Sequence, residues 1–114
     1  MKTNPVQIIA SQAMSDALVT YYTSPANKKT LISKVSITNI GTAALAFDLH
    51  VVPSGGAAST ANKIFSAEVV DSGASLPLHQ IEAQILEAGD FIQAKINTAT
   101  STDLTILGSG YEII

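Results

Sequence analysis

Apolar and polar residues alternate with a period of two along most of this chain. That pattern constrains the fold more than any motif, because only a pleated strand shows opposite faces to successive residues. Ser33, Val35 and Ile37 alternate with Lys34, Ser36 and Thr38, and Leu45, Phe47, Leu49 and Val51 with Ala46, Asp48, His50 and Val52. Phe65, Ala67 and Val69 alternate with Ser66, Glu68 and Val70, and Ile92, Ala94 and Ile96 with Gln93, Lys95 and Asn97, while Leu104 and Ile106 flank Thr105. The first-named set of each run is the expected core face. The Val, Ile and Thr content suits a half-buried pleated surface.

Turn signals separate the runs: Ser24-Pro25-Ala26-Asn27, Asn39-Ile40-Gly41, Asp71-Ser72-Gly73 and Ala88-Gly89-Asp90. Pro53-Ser54-Gly55-Gly56 opens a small-residue loop reaching Thr60, the segment expected to be most mobile. The spacing predicts about eight short strands, near Val6–Ala10, Asp16–Tyr22, Lys28–Asn39, Leu45–Pro53, Lys63–Asp71, Ser75–Gln80, Phe91–Asn97 and Asp103–Ile114. Ile81 to Glu87 reads as an extended stretch or a single turn. The expected fold is all-β: one antiparallel β-sandwich over residues 1–114, jelly-roll or immunoglobulin-like. The Cys and Trp hallmarks of an antibody-type domain are missing.

Composition narrows the function. The 114 residues are 46% hydrophobic but only 13% charged, so a sizeable core goes with few ionisable groups. All six basic residues are lysine and the net charge is −3, which leaves no guanidinium fork for phosphates or guanines and argues against nucleic-acid binding. Without cysteine there is no disulfide, thiolate nucleophile or Cys-ligated zinc. No apolar run approaches the roughly 18 residues of a membrane-spanning helix, and the start has no signal-peptide pattern. The expectation is a chain made in the cytoplasm, with no membrane partner.

The residues offer little for catalysis. His50 and His79 are the only imidazoles. Asp48 shares a strand face with His50, but a catalytic zinc usually needs three protein ligands, and no metal or cofactor is expected. There is no G-x-S-x-G elbow among the many hydroxyls. Glu82, Glu87 and Asp90 read as a solvated acidic turn, and Gly55-Gly56 lacks the Lys and Ser/Thr of a phosphate-cradling loop. The expectation is that the protein is not an enzyme. A carbohydrate-binding β-sandwich module is the alternative; its stacking platform would have to come from Tyr21 and Tyr22, which strict alternation puts on opposite faces.

Apolar residues also fall out of phase. Val52, Ile64, Val70, Leu107 and Ile114 land on the outward face, which for a lone sandwich implies either a partner or a slip of phase across a bulge.

The order of motifs resembles small virion structural proteins of tailed bacteriophages. The matching blocks are the run from Tyr21-Tyr22-Thr23-Ser24-Pro25-Ala26-Asn27 to Thr38-Asn39, then Val51-Val52-Pro53-Ser54-Gly55-Gly56, then Leu86-Glu87-Ala88-Gly89-Asp90-Phe91-Ile92-Gln93-Ala94, then Gly108-Ser109-Gly110-Tyr111-Glu112-Ile113. The resemblance implies a β-sandwich subunit decorating the capsid or belonging to the neck or tail, present in several copies, without catalytic residues. Its partners would be copies of itself and other virion proteins, and its location the virion after synthesis in the bacterial cytoplasm. Expected intersubunit contacts are Tyr21 and Tyr22, the Gly55 and Gly56 loop, and Tyr111, Ile113 and Ile114 at the end of the last strand, because aromatic residues are enriched at interface centres.

Overall fold

In the computed structural model, residues 2–98 and 101–113 are described. They form nine strands: β1 (Thr3–Ala13), β2 (Val19–Thr23), β3 (Lys29–Asn39), β4 (Leu45–Val52), β5 (Lys63–Val70), β6 (Ser75–Pro77), β7 (Ile85–Leu86), β8 (Phe91–Ile96) and β9 (Leu104–Ile113). A single 3-10 turn, His79–Ile81, lies between β6 and β7. The segment Ile81 to Glu87, expected as an extended stretch or a single turn, holds the end of that turn and a two-residue strand on β3.

All pairings are antiparallel, and those along the ribbon nest. β4 pairs with β5, β3 with β6 and β7, β2 with β8, and β1 with β9. The pairs alternate between two sheets, β1-β9-β3-β6 with β7 also on β3, and β2-β8-β4-β5. One long ribbon turned back at the β4–β5 hairpin and rolled up gives this order, which is the jelly-roll arrangement. The immunoglobulin alternative pairs sequential strands in a different order and is not what the chain adopts.

Between the sheets lies one apolar cluster. Phe47, Leu49, Ile92, Ala94 and Ile96 project from the second sheet toward Ile9, Ile32, Val35, Ile37, Leu104 and Ile106 of the first, and the Phe47 and Phe65 rings sit 5.7 Å apart in a tilted pair.

Bulges decide which side chains reach this cluster, and they account for the departures from strict alternation. Ile32 opposes Gly110 while Lys34 opposes Ser109, so Ser33 is an extra residue on β3. Ser33 is accordingly exposed rather than core, and Thr30 and Ile32 point inward before it as Val35 and Ile37 do after it. On β5, Glu68 opposes Phe47 and Phe65 opposes Leu49, with two residues set against Asp48. The phase flips there: Val70 joins the core and Val69 is 57% exposed, the reverse of the alternation. Of the out-of-phase set, Val52 is buried outside the main cluster, Ile64 and Leu107 are exposed, and Ile114 lies outside the described residues.

β9 is central in its sheet, and its inner face carries Gly108 and Gly110. A Cβ on Gly110 would overlap the Leu31 carbonyl oxygen, a backbone atom that cannot swing away. The Gly110→Ala variant is expected to lose about 1–3 kcal/mol of stability in urea unfolding. Ser109→Ala, on the exposed face of the same strand, should unfold like the parent.

Candidate functional site

The topology gathers the expected contact residues at one end of the sandwich. β2 and β9 finish there, and the connections 24–28, 53–62 and 87–90 cover it. These loops are tied together: Gly89 N–H donates to the Ser24 carbonyl (2.9 Å), Ser24 N–H to the Asp90 carbonyl (2.8 Å), and Ser54 N–H to the Asp90 carboxylate (2.9 Å). The acidic turn is thus structural. Asp90 also accepts from Glu87 N–H, Glu87 pairs with Lys29 (3.6 Å), and Glu82 pairs with His79 (3.2 Å).

Tyr21 and Tyr22 do not face opposite ways. A register shift between Thr20 and Tyr22 makes Tyr21 the extra residue, and both rings pack against the core. Tyr21 Oη accepts from Ser15 N–H (3.1 Å), while Tyr22 Oη shares a hydrogen bond with Thr30 Oγ1 (2.8 Å), which in turn bonds buried Ser24 Oγ (2.9 Å). Burial pushes both phenols above the usual tyrosine range. These rings hold the two sheets together and present no paired stacking platform.

Gly55 and Gly56 sit in a turn closed by Gly56 N–H donating to the Pro53 carbonyl (2.9 Å), with Gly55 at φ +78°. The connection following them carries an anchor that its composition does not show. Asn62 pins it: Nδ2 donates to the Ala57 carbonyl (2.9 Å), Oδ1 accepts from Ser59 N–H (3.0 Å), and the Asn62 carbonyl accepts from Val51 N–H (3.0 Å). A cleft of about 660 Å³ opens between this connection and the 3-10 turn; Val51 and Ile81 line it with the amides of Gln80 and Gln84, and no charged or aromatic side chain does.

Tyr111 and Ile113 lie on the outer face of the first sheet. Tyr111 opposes Pro5 on one side and Leu31 on the other, and Leu31 opposes Ile85. Directly opposed residues share a face, so Pro5, Tyr111, Leu31 and Ile85 form an apolar row across β1, β9, β3 and β7, roughly 14 Å wide at about 4.8 Å per strand. Ile85 is 53% exposed and Tyr111 41%. Ile113, half-buried, continues the same face beside Lys29. Sequence reasoning reached Tyr111 and Ile113 but missed Leu31, Pro5 and Ile85; only the pairing of distant strands aligns them.

The outer face of the second sheet has a different chemistry. Asp48 and His50, successive outward residues of β4, are both buried. The β5 bulge, with Ala67 at φ +48°, frees the Ala67 N–H, which donates to Asp48 Oδ1 (2.7 Å). Asn97 Nδ2 donates to the same oxygen (3.1 Å), and Lys63 Nζ stands 3.6 Å from Oδ2. Burial raises the Asp48 pKa, but the Ala67 N–H, the Asn97 amide and Lys63 together outweigh it and hold the carboxyl below the usual range. His50 Nδ1 lies 2.9 Å from Asn62 Oδ1. His79 is on the turn beyond β6 in the other layer, bonded to Glu82, so the two imidazoles are not brought together.

No protein-family model matches the chain, and no curated protein does. Among solved structures it is similar to a chain in the structure of infectious bursal disease virus Gx strain, at 6% identity and a TM-score of 0.41, over 97% of this chain and 30% of that one. The chain thus spans less than a third of that chain's length.

A depressed carboxyl pKa links stability to pH with a definite sign. Asp48 stabilises the fold fully above the ordinary unfolded value of about 4, and the contribution fades as pH falls through the lower folded value. Asp48→Asn should therefore be clearly less stable than the parent near neutrality, and the gap in urea midpoints should close as the solution is acidified through that window. A gap constant with pH would contradict the assignment.

Proposed function

We propose that the protein is a non-enzymatic structural subunit of a bacteriophage particle, associating with copies of itself and with capsid, neck or tail proteins. The observation that carries this reading is the apolar row Pro5, Tyr111, Leu31 and Ile85 on the outer face of the first sheet. A sandwich buries one face of each sheet and solvates the other, so an apolar row crossing four strands needs a second layer of protein. The Lys29 and Glu87 pair at its margin supplies the polar rim usual around such patches. Jelly rolls are built into capsids, and into lectins and cupins as well, so the fold supports the reading without selecting it; the resemblance of the sequence blocks to small tailed-phage virion proteins supplies the phage assignment.

The expected contacts at Tyr111 and Ile113 fit this surface, joined by Leu31 and Ile85. Tyr21 and Tyr22 serve the contact indirectly, by fixing the end of the sandwich that carries it. Gly55 and Gly56 stand at that same end as a secondary contact. The carbohydrate alternative keeps the uncharged amides of Gln80 and Gln84 but has no ring beside them for a sugar to stack on.

Light scattering over a dilution series should find a discrete oligomer, and the double variant Tyr111→Ser, Ile85→Ser should shift it to monomer while leaving the urea midpoint nearly unchanged. Antibody raised against the chain should label purified particles at a regular position. A monomeric parent that also fails to label particles would remove the proposal.

A further inference from the structure

We propose that the cleft on the outer face of the second sheet, over His50, binds a small oxyanion that still carries a proton, with hydrogen phosphate as its fitting ligand. The inference is independent of the assembly proposal. The cleft, about 310 Å³, lies between β4, β5 and β8 and the connection through Ser59 and Thr60; Asp48, His50, Lys63 and Lys95 are its ionisable lining and Leu18 forms an apolar wall.

The argument starts from the tautomer of His50. Asn62 Nδ2 donates to the Ala57 carbonyl and its Oδ1 accepts from Ser59 N–H, which fixes which end of the amide faces the imidazole. An Oδ1 atom 2.9 Å from Nδ1 can only accept, so in neutral His50 the proton sits on Nδ1 and Nε2 keeps a lone pair. His50 is 94% buried by its 6% exposure, yet Nε2 has no partner among the described residues, and no side-chain nitrogen sealed from solvent lacks one. Nε2 therefore opens onto the cleft that His50 lines, as an acceptor waiting for a donor.

The charges around it favour an anion. Lys95 stands directly opposite Asp48 in the β4–β8 ladder, but Asp48 is taken by Ala67, Asn97 and Lys63, and Lys95 makes no ion pair among the described residues. Two ammonium groups and one internally satisfied carboxylate leave the cleft one net positive charge. Hydroxyls of Ser59 and Thr60 complete the lining. A fully deprotonated anion would satisfy the lysines but offer no donor to Nε2 of the neutral ring. Hydrogen phosphate meets both demands, its charged oxygens accepting from Lys95 and Lys63 and its P–OH donating to Nε2.

This selectivity gives the test. The full chain, labelled with nitrogen-15, is titrated near neutral pH at constant ionic strength with inorganic phosphate, with sulfate and with methyl phosphate, which has no other hydroxyl and whose second proton leaves at about pH 6. Phosphate should give saturable shifts of the His50 ring nitrogens and of the Ser59 and Thr60 amides, with both other anions at least roughly tenfold weaker, the worth of one charge-assisted hydrogen bond. Lys95→Gln should weaken phosphate by a similar factor with the urea midpoint unchanged, and Thr60→Val provides a second variant away from the ladder. Absence of saturable shifts, equal binding of sulfate or methyl phosphate, or indifference of the affinity to Lys95→Gln would each overturn the proposal.

Discussion

The Ala67 N–H has no partner in the β4–β5 ladder, because β5 sets an extra residue against Asp48, and losing that backbone hydrogen bond outright would cost about 0.5–1.5 kcal/mol of net stability. The Asp48 carboxylate removes that cost at 2.7 Å. Much follows from this one bond. β4 and β5 are the innermost pair of the rolled ribbon, and the bulge it stabilises flips the phase of β5 so that Val70 enters the core. It also draws Lys63 and Asn97 onto Asp48, bringing β5 and the end of β8 together over the second sheet. Asn39 plays the matching part at the other end, its Nδ2 donating to the Ala43 and Val70 carbonyls and its Oδ1 accepting from Gly41 N–H.

Strand existence was legible because hydrophobic period is a local property of the chain. Lys63 to Val70 was recognisable as a strand, yet the face on which each of its residues lies was not, since an extra residue leaves no mark in a run where Ala67 and Val69 are apolar enough to pass for core. Ser33 and the Tyr21/Tyr22 pair were misplaced for the same reason. The out-of-phase Val70 and the two consecutive buried isoleucines, Ile8 and Ile9, are sequence traces of such bulges. β7 escaped notice because two residues have no period. The nested order was out of reach altogether: β1 meets β9 across nearly the full length of the chain, and no local signal encodes that.

The contact surface divides along the same line. Tyr111 stood out as an aromatic residue and Ile113 as part of the apolar strand end, both local features, and β9, which keeps an unbroken alternation from Leu104 through Glu112, sets Tyr111 on the outer face. Leu31 and Ile85 did not, because their membership depends on long-range register. Small residues imply freedom in the connection through Asn62, and the bonds one amide side chain makes to Ala57, Ser59 and His50 restrain it in a way composition does not show.

The two outer faces bear opposite chemistries, and their separation has a physical consequence. Packed sheets lie about 10 Å apart, so a neighbour seated on the apolar row of the first sheet leaves the cleft over His50 open on the far side of the sandwich. The hydroxyls and amides that fix the second face, from Asn62 to Asp48, are bonded within the subunit and need no neighbour to complete them. The row at Tyr111 is the reverse, apolar and left open on the outer face. Were the chain to associate as proposed, through the first sheet, what the second sheet presents to solvent would be unaltered.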